Sequence, residues 1–294
     1  MKKIVLFLSV FLLLLTSCTV TPDDTQIPEI DTPPVEIKDN SNKENDASGG
    51  DENNKSEEVY RASLTVEEII EYANEMKVDT SLTGFSLDGL FTGTQLALTD
   101  DAGDDYQNTT AYLGDSVTLG LAFFENHPSE LVIAKGSINP LDAVDKKLIQ
   151  SENGEMINFP DALQLTGADK AVLTFGSNAI SIMSEETFLN YYLKLINEIK
   201  SKNPDCKIII QSITPLATTC TLKKLTNSLI NRANLLLLIL ANEHNVYFLN
   251  SAPALKDESG FLRLEFCSSD DGIHINEEGY KIWINELRTH AIQE

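Results

Sequence analysis

Basic residues are scarce in this chain of 294 residues. Its 22 lysines and arginines stand against 45 aspartates and glutamates, and the formal net charge is −23. Binding to nucleic acid or to an anionic lipid surface requires clusters of lysine and arginine that contact phosphate groups. We therefore expect no nucleic-acid partner.

Cysteine is also rare. The chain has 4 cysteines, Cys18, Cys206, Cys220 and Cys267, and no two of them are spaced as in CxxC. This pattern excludes a zinc site of the usual spacing and a dense disulfide framework. Three cysteines follow Cys18, so one pair could form a disulfide in an oxidising compartment, but the sequence does not select it. Our expectation is that all three are small buried hydrophobic residues.

Long apolar segments are missing except near the N-terminus. Residues 4–15 are apolar apart from Ser9, and Lys2 and Lys3 precede them. A run of about a dozen residues is too short to cross a bilayer, which takes about 20. The basic start, the short apolar core and the small residues at its end predict a secretory signal peptide rather than a buried N-terminal helix.

The sequence LTSC that ends at Cys18 resembles the lipobox of bacterial lipoproteins. The resemblance implies that residues 1–18 are a lipoprotein signal peptide, that Cys18 is lipidated, and that the protein is anchored at the extracellular face of a bacterial cell membrane. A plain signal peptide with a chance cysteine is the alternative. Residues 19–58 are rich in Pro, Asp, Glu, Asn, Ser and Lys, which predicts a disordered acidic linker. Residues 59–294 are long enough for one domain.

The first part of this domain has a weak pattern. Thr65 and Glu68 have the spacing of a capping box and predict a short amphipathic helix within residues 63–76. Residues 79–109 show no clear period, and we interpret TDDAGDDY at 99–106 as a solvated turn. Residues 59–109 are therefore expected to be an N-terminal extension that packs on the domain.

From residue 110 onward, short apolar runs alternate with helical patterns. Strands are predicted at 110–113, 131–134, 171–175, 207–213 and 246–250, and helices at 185–201, 222–243 and 276–291. Unbroken apolar strands separated by helices predict a three-layer α/β/α domain with a central parallel sheet of about five strands. The leucine-rich stretch 234–242 is expected to pack against this sheet.

Polar residues with catalytic potential follow the predicted strands, where open α/β sheets bind their ligands. Ester hydrolysis needs an activated hydroxyl, a base, a group that orients the base, and donors that bind the oxyanion. Ser116, His274, Asp271 and Asn178 could fill these four roles, although each alone could be a turn or capping residue. The motif G-x-S-x-G is incomplete, because Thr118 replaces its second glycine.

Three blocks in order along the chain resemble the SGNH hydrolases, also called the GDSL esterase and lipase family. They are GDSV at 114–117, GSN at 176–178 and DGIH at 271–274. The stretch NEEGYKIWINEL that follows resembles the family's closing helix, so the resemblance covers roughly residues 110–291. It implies the flavodoxin-like fold of this family and a mechanism that needs no metal or cofactor.

The resemblance also implies a role for each site residue. Ser116 would be the nucleophile, His274 the general base and Asp271 the residue that orients this base. The oxyanion hole would consist of the Ser116 N–H, the Gly136 N–H and the Asn178 side chain.

The sequence departs from the family pattern in two places. Ala179 stands where the family often has aspartate, and KGSINP around Gly136 resembles the family's glycine block only loosely. Asp270 also competes with Asp271, although the D-x-x-H spacing favours Asp271.

The expected function is that of a membrane-anchored, extracellular serine esterase. We expect it to hydrolyse acyl esters, above all O-acetyl groups on envelope or external polysaccharide, and to be a monomer. One alternative is a lysophospholipase or short-chain lipid esterase. Another is a non-catalytic lipoprotein that binds glycan, and a third is acyl transfer to a sugar instead of water.

Overall fold

The computed structural model describes residues 63–124, 127–268 and 271–293. The predicted signal peptide, Cys18 and the predicted linker at 19–58 lie outside these residues, as does Asp270. In the described residues the helices are α1 (Val66–Glu75), α2 (Gly103–Asn108), α3 (Ser116–Leu121), α4 (Pro140–Asp145), α5 (Phe159–Thr166), α6 (Glu185–Lys202), α7 (Asn227–Glu243), α8 (Ala252–Leu255) and α9 (Glu277–Thr289). Short 3₁₀ helices occupy Ser129–Leu131 and Leu264–Phe266.

The strands form one main sheet and one small pair. They are β1 (Thr110–Gly114), β2 (Val132–Ala134), β3 (Ile149–Gln150), β4 (Met156–Ile157), β5 (Lys170–Thr174), β6 (Lys207–Gln211) and β7 (Tyr247–Leu249). The main sheet has the order β2-β1-β5-β6-β7 with every neighbouring pair parallel, and β3 pairs with β4 in antiparallel fashion. This is the doubly wound order that has its switch point beside the first strand, and it confirms the predicted fold class.

Successive side chains along each strand point alternately into two separate hydrophobic cores. Leu113 of β1 belongs to the core that α6 and α7 cover, where Leu236 of α7 is buried. Its neighbour Tyr112 points into the opposite core, where Trp283 of α9 stacks on it at 6.0 Å. Because both faces are covered, the strands read as continuous apolar runs rather than as alternating ones.

The predicted helices are confirmed with small changes in their limits. Thr65 and Glu68 form the predicted capping box at the start of α1. Helix α7 begins later than predicted, because Thr226 caps it by accepting a hydrogen bond from the Leu229 N–H at 3.2 Å. The leucine-rich stretch is buried inside α7. Within the part of the chain that is described, no helix is both long and apolar enough to span a membrane.

The interpretation of residues 99–106 as a turn is wrong in its second half. Helix α2 starts at Gly103, and Arg288 near the end of α9 forms ion pairs with Asp101 at 2.7 Å and with Asp104 at 2.6 Å. The helix is only six residues long, and its Asp104 is paired with a distant arginine. A local apolar period could therefore not reveal it.

The N-terminal part of the described chain covers an edge of the main sheet. Helix α1 packs against α6 and α7. Further along, Phe248 of β7 donates its N–H to the Thr94 carbonyl and accepts the Leu96 N–H, each at 2.9 Å. The extension therefore pairs with β7 and covers an edge that would otherwise offer unpaired backbone groups to another chain.

The cysteines after the N-terminal segment are free thiols. Cys206, Cys220 and Cys267 form no disulfide, and each is half-buried. Their predicted full burial is therefore wrong, since each lies in a turn or at the end of a short element rather than in a strand or helix interior.

The buried residue His127 should make the fold sensitive to acid. Its side chain is only 5% exposed and packs edge-on against Tyr112 at 5.2 Å, and burial lowers its pKa from 6.5 to about 4. The unfolded chain binds a proton near pH 6.5, whereas the folded protein does not until about pH 4. Stability should thus be lost as the pH falls through this interval, by about 3 kcal/mol in total, with no contribution above it.

Urea unfolding between pH 7 and pH 4 checks this expectation. His127→Gln removes the titration, so the wild type should lose stability more steeply than the variant. Titrating carboxyl groups affect both proteins and cancel in the difference. Parallel profiles for the two proteins would contradict the assignment.

Candidate active site

Ser116 lies at the carboxyl edge of the main sheet, at the first position of α3. β1 ends at Gly114, and Asp115 caps the helix by accepting the Val117 N–H at 3.0 Å. Gly114 is required here, because a Cβ atom at this position would lie 2.0 Å from Thr118 Oγ1. The threonine that replaces the second motif glycine thus packs directly on the turn.

Ser116, His274 and Asp271 form a continuous hydrogen-bonded chain. Nε2 of His274 lies 2.9 Å from Ser116 Oγ, and Nδ1 of His274 lies 2.7 Å from Asp271 Oδ2. With the proton on Nδ1, the imidazole donates to the carboxylate and its Nε2 can accept the serine proton. The side chains of His274 and Asp271 are 36% and 40% exposed, so substrate can reach the chain of hydrogen bonds from solvent.

Local hydrogen bonds fix the conformation of the Asp271–His274 turn. The second carboxylate oxygen of Asp271 accepts the N–H groups of Ile273 at 2.8 Å and of His274 at 3.1 Å. Gly272 adopts a φ of +70°, and a Cβ atom there would lie 2.5 Å from the Cys220 backbone nitrogen. Both the backbone conformation and the close contact therefore demand glycine.

Asp115 joins the Ser116 turn to the turn that carries Asn178. Its carboxylate is buried and lies 3.3 Å from the Ser177 hydroxyl, which donates to it. Burial raises the pKa of Asp115, while the hydrogen bonds from Val117, Ser177 and the Gly176 backbone oppose this shift. The carboxylate therefore ties two of the three sequence blocks together beneath the site.

Asn178 follows β5 in a tight turn. The N–H groups of Ala179 and Ile180 both donate to the Gly176 carbonyl, at 2.8 and 3.1 Å. The Asn178 Nδ2 is buried, yet it donates to no group among the described residues. Ala179 is fully buried, so the position where the family often has aspartate is part of the apolar core here. An unpaired buried amide donor costs free energy, which makes Asn178 a candidate for binding an acceptor atom from a substrate.

Gly136 lies in the turn after β2, beside the end of β1. The preceding residue Lys135 donates its N–H to the Gly114 carbonyl at 3.2 Å, so the Gly136 turn continues alongside the Ser116 turn. Among the described residues, direct side-chain hydrogen bonds unite Ser116, His274 and Asp271. Asn178 and Gly136 lie on neighbouring turns of the same edge.

Sequence reasoning missed the contact that fixes α3. The buried Tyr280 of α9 donates its hydroxyl to the Val117 carbonyl at 2.5 Å, and a Cβ atom on Gly120 would lie 2.1 Å from this hydroxyl. α9 begins just after His274, so Tyr280 connects the histidine turn to the helix that starts with Ser116. In the sequence, the one signal for this contact is that Tyr280 belongs to the stretch that resembles the family's closing helix.

The residues of this site all lie within a stretch that matches a protein-family model. Residues 112–282, more than half of the chain, match the GDSL-like Lipase/Acylhydrolase family. A comparison with curated protein sequences finds no match.

Solved structures of similar fold have low sequence identity to this chain. A GDSL-like lipase from Bacteroides thetaiotaomicron is 15% identical, with 72% of this chain and 94% of that chain covered and a TM-score of 0.43. A lipase/acylhydrolase from Enterococcus faecalis is 17% identical, with 60% and 92% covered and a TM-score of 0.43. A carbohydrate esterase family 3 protein from Talaromyces cellulolyticus is 17% identical, with 60% and 93% covered and a TM-score of 0.41.

Proposed function

Because the chain belongs to the GDSL-like lipase/acylhydrolase family, we propose that it is a serine esterase that removes O-acetyl groups from glycans. The observation that carries the serine mechanism is the hydrogen-bonded chain from Ser116 through His274 to Asp271. A hydroxyl, an imidazole and a carboxylate in this order are the groups that activate a nucleophile for acyl transfer.

In the first step, Ser116 Oγ bonds to the ester carbonyl carbon while its proton passes to Nε2 of His274. The electron pair of the carbonyl double bond moves to the oxygen, which becomes an oxyanion. Asp271 stays ionised, accepts the hydrogen bond from the Nδ1–H group and stabilises the imidazolium. The tetrahedral intermediate then releases the alcohol, whose oxygen takes the proton from Nε2.

Donors at the edge of the sheet bind the oxyanion. We assign this role to the Ser116 N–H, the Gly136 N–H and the Asn178 amide. The support for Asn178 is its buried Nδ2, which has no acceptor among the described residues. The Ser116 N–H supports the same role, because the first N–H groups of a helix have no partner within the helix.

Water completes the reaction. It gives a proton to His274 Nε2 and bonds to the acyl carbon, and the second tetrahedral intermediate collapses by breaking the bond to Ser116 Oγ. His274 returns the proton to the serine, and the acid product leaves.

The exposure of the site supports a polar substrate with a short acyl group. His274 and Asp271 are each more than a third exposed, which suits a bulky polar alcohol such as a sugar. Long acyl chains need an enclosed apolar pocket that buries most of their surface.

We also propose that the protein acts as a monomer at the extracellular face of a bacterial membrane, anchored by a lipid on Cys18. The support is the short apolar run, the LTSC sequence and the acidic linker that follows it. Incorporation of labelled palmitate that persists in a Cys18→Ala variant would contradict this assignment.

The dependence of rate on acyl length tests the substrate proposal. If an apolar channel buried the chain, each added CH₂ would contribute about 0.8 kcal/mol, or about fourfold in kcat/KM. We expect no such rise from 4-nitrophenyl acetate to the butyrate and hexanoate, with acetate the best substrate. An increase of about fourfold per CH₂ would instead favour a lipid esterase.

A further inference from the structure

A cavity beside the Asp271–His274 turn has no role in the chemistry described so far. It has a volume of about 260 Å³ and is lined by the loop after β6, the start of α7, Phe261 and Leu82 of the N-terminal extension. A water molecule occupies about 30 Å³, so this space holds roughly nine waters. That is room for one sugar ring, and it is less than the 300–1,000 Å³ typical of pockets for drug-sized ligands.

The walls of the cavity combine an aromatic ring with free hydroxyls. Phe261 and Leu82 are half-buried and form the apolar part. Thr218, Thr226 and Ser228 are exposed, and the hydroxyls of Thr218 and Ser228 make no hydrogen bond to any described residue. None of the described residues that line the cavity has a charged side chain. Apolar ring faces together with uncharged donors and acceptors match the C–H faces and hydroxyls of a neutral sugar.

The cavity shares a wall with the candidate active site. Leu216, on one side of this wall, accepts the Leu262 N–H at 2.9 Å. Ala217, the next residue, donates its N–H to the Gly272 carbonyl at 2.9 Å. Gly272 is two residues from His274, a distance of at most about 7 Å along the chain. The cavity wall is therefore bonded directly to the turn that carries the catalytic imidazole.

The part of the N-terminal extension that lines the cavity is held in place by contacts with the rest of the domain. The buried Asn231 donates from Nδ2 to the carbonyls of Thr80 and Ser81, at 3.3 and 3.1 Å. A Cβ atom on Gly260, whose φ is +84°, would lie 2.3 Å from the Leu82 carbonyl oxygen. These contacts hold Leu82 against the segment that carries Phe261.

We propose that this cavity is a subsite for one neutral sugar unit of the substrate, formed jointly by the loop after β6 and the N-terminal extension. The proposal rests on the proposed esterase function and names the part of the glycan that positions the ester. The Phe261 ring packs on a face of the sugar, and the hydroxyls of Thr218 and Ser228 bind its hydroxyl groups. The ester-bearing sugar then lies on the other side of the 216–220 wall, at Ser116.

Two esters separate this subsite from the chemistry at Ser116. Partially O-acetylated xylotetraose carries free sugar units next to its ester-bearing unit, whereas 4-nitrophenyl acetate carries no sugar. In the full chain, Phe261→Ala should lower kcat/KM for O-acetylated xylotetraose about fivefold to tenfold and leave 4-nitrophenyl acetate unchanged. Phe261→Leu keeps the apolar volume and should retain the stability but not the sugar preference. Tyr72→Ala removes an exposed aromatic ring elsewhere and should change neither ester.

Sugar binding without hydrolysis provides a second readout. Saturation-transfer NMR with xylotetraose and with chitotetraose should give signals for the wild type that Phe261→Ala loses. If neither ester is hydrolysed but a tetrasaccharide binds through Phe261, the proposed esterase fails and the subsite stands. Equal effects of Phe261→Ala on both esters, or no Phe261-dependent effect in either readout, would overturn the subsite.

Discussion

Replacing Ser116 with alanine is expected to lower kcat for 4-nitrophenyl acetate by about 10⁴-fold or more. The substitution removes the oxygen that forms the acyl-enzyme, while Asn178 and the helix N-terminus remain to give a small residual rate. Thermal stability should change little, because the serine side chain is half-buried and its one hydrogen bond among the described residues is to the half-exposed His274.

Three further variants make this expectation specific. Ser201→Ala removes an exposed serine of α6 and should retain full activity. His274→Ala should be nearly as slow as Ser116→Ala, and the double variant should be no slower, because residues that act as one unit have non-additive effects. A folded Ser116→Ala protein with wild-type kcat would contradict the serine mechanism. A folded wild type that hydrolyses no ester would instead favour the non-catalytic glycan-binding lipoprotein.

Replacing Asn178 with alanine should reduce kcat by about 10²–10³ with little change in KM. The amide would contribute mainly in the transition state, when the carbonyl oxygen acquires charge. In the free protein its Nδ2 bonds to no described residue, so the substitution removes no hydrogen bond of that group from the fold. The thermal midpoint should therefore remain close to that of the wild type.

Asn231→Ala is a matched control for this variant. Asn231 is a fully buried asparagine whose Nδ2, unlike that of Asn178, donates to the Thr80 and Ser81 carbonyls. Its loss should cost about 1–3 kcal/mol of folding free energy through the unpaired carbonyls, with a small effect on kcat. A loss of stability in Asn178→Ala together with an unchanged kcat would assign Asn178 to the fold and not to the oxyanion.

The two hydrogen bonds of His274 differ in how far along the chain their partners lie. Asp271 and His274 are three residues apart, and their contact is made within one turn whose hydrogen bonds are local. A D-x-x-H spacing is therefore informative on its own. Ser116 and His274 are separated by 158 residues, and α9, which follows His274, is joined to α3 by the hydrogen bond from Tyr280 to Val117. Only the combination of several blocks in family order could predict that meeting from the sequence.

Several short elements of the fold could not be predicted from the sequence. The six-residue helices α2 and α4 and the two-residue strands β3 and β4 are too short to show a hydrophobic period. Helix α2 is held by Arg288, which lies 184 positions from its partner Asp104. Long-range ion pairs of this kind leave no local pattern.

The sequence by itself determined the parallel sheet, the long helices and the order of the residues that could act on an ester. Those features follow from local rules, because buried strands and amphipathic helices have their own apolar patterns. Only the tertiary structure decided which polar groups are paired and which are left to bind a ligand. It leaves the Asn178 amide buried without an acceptor among the described residues, and it places Leu82 next to Phe261 at the edge of a cavity. Pairing and enclosure depend on contacts between segments far apart in the chain, and no local pattern encodes them.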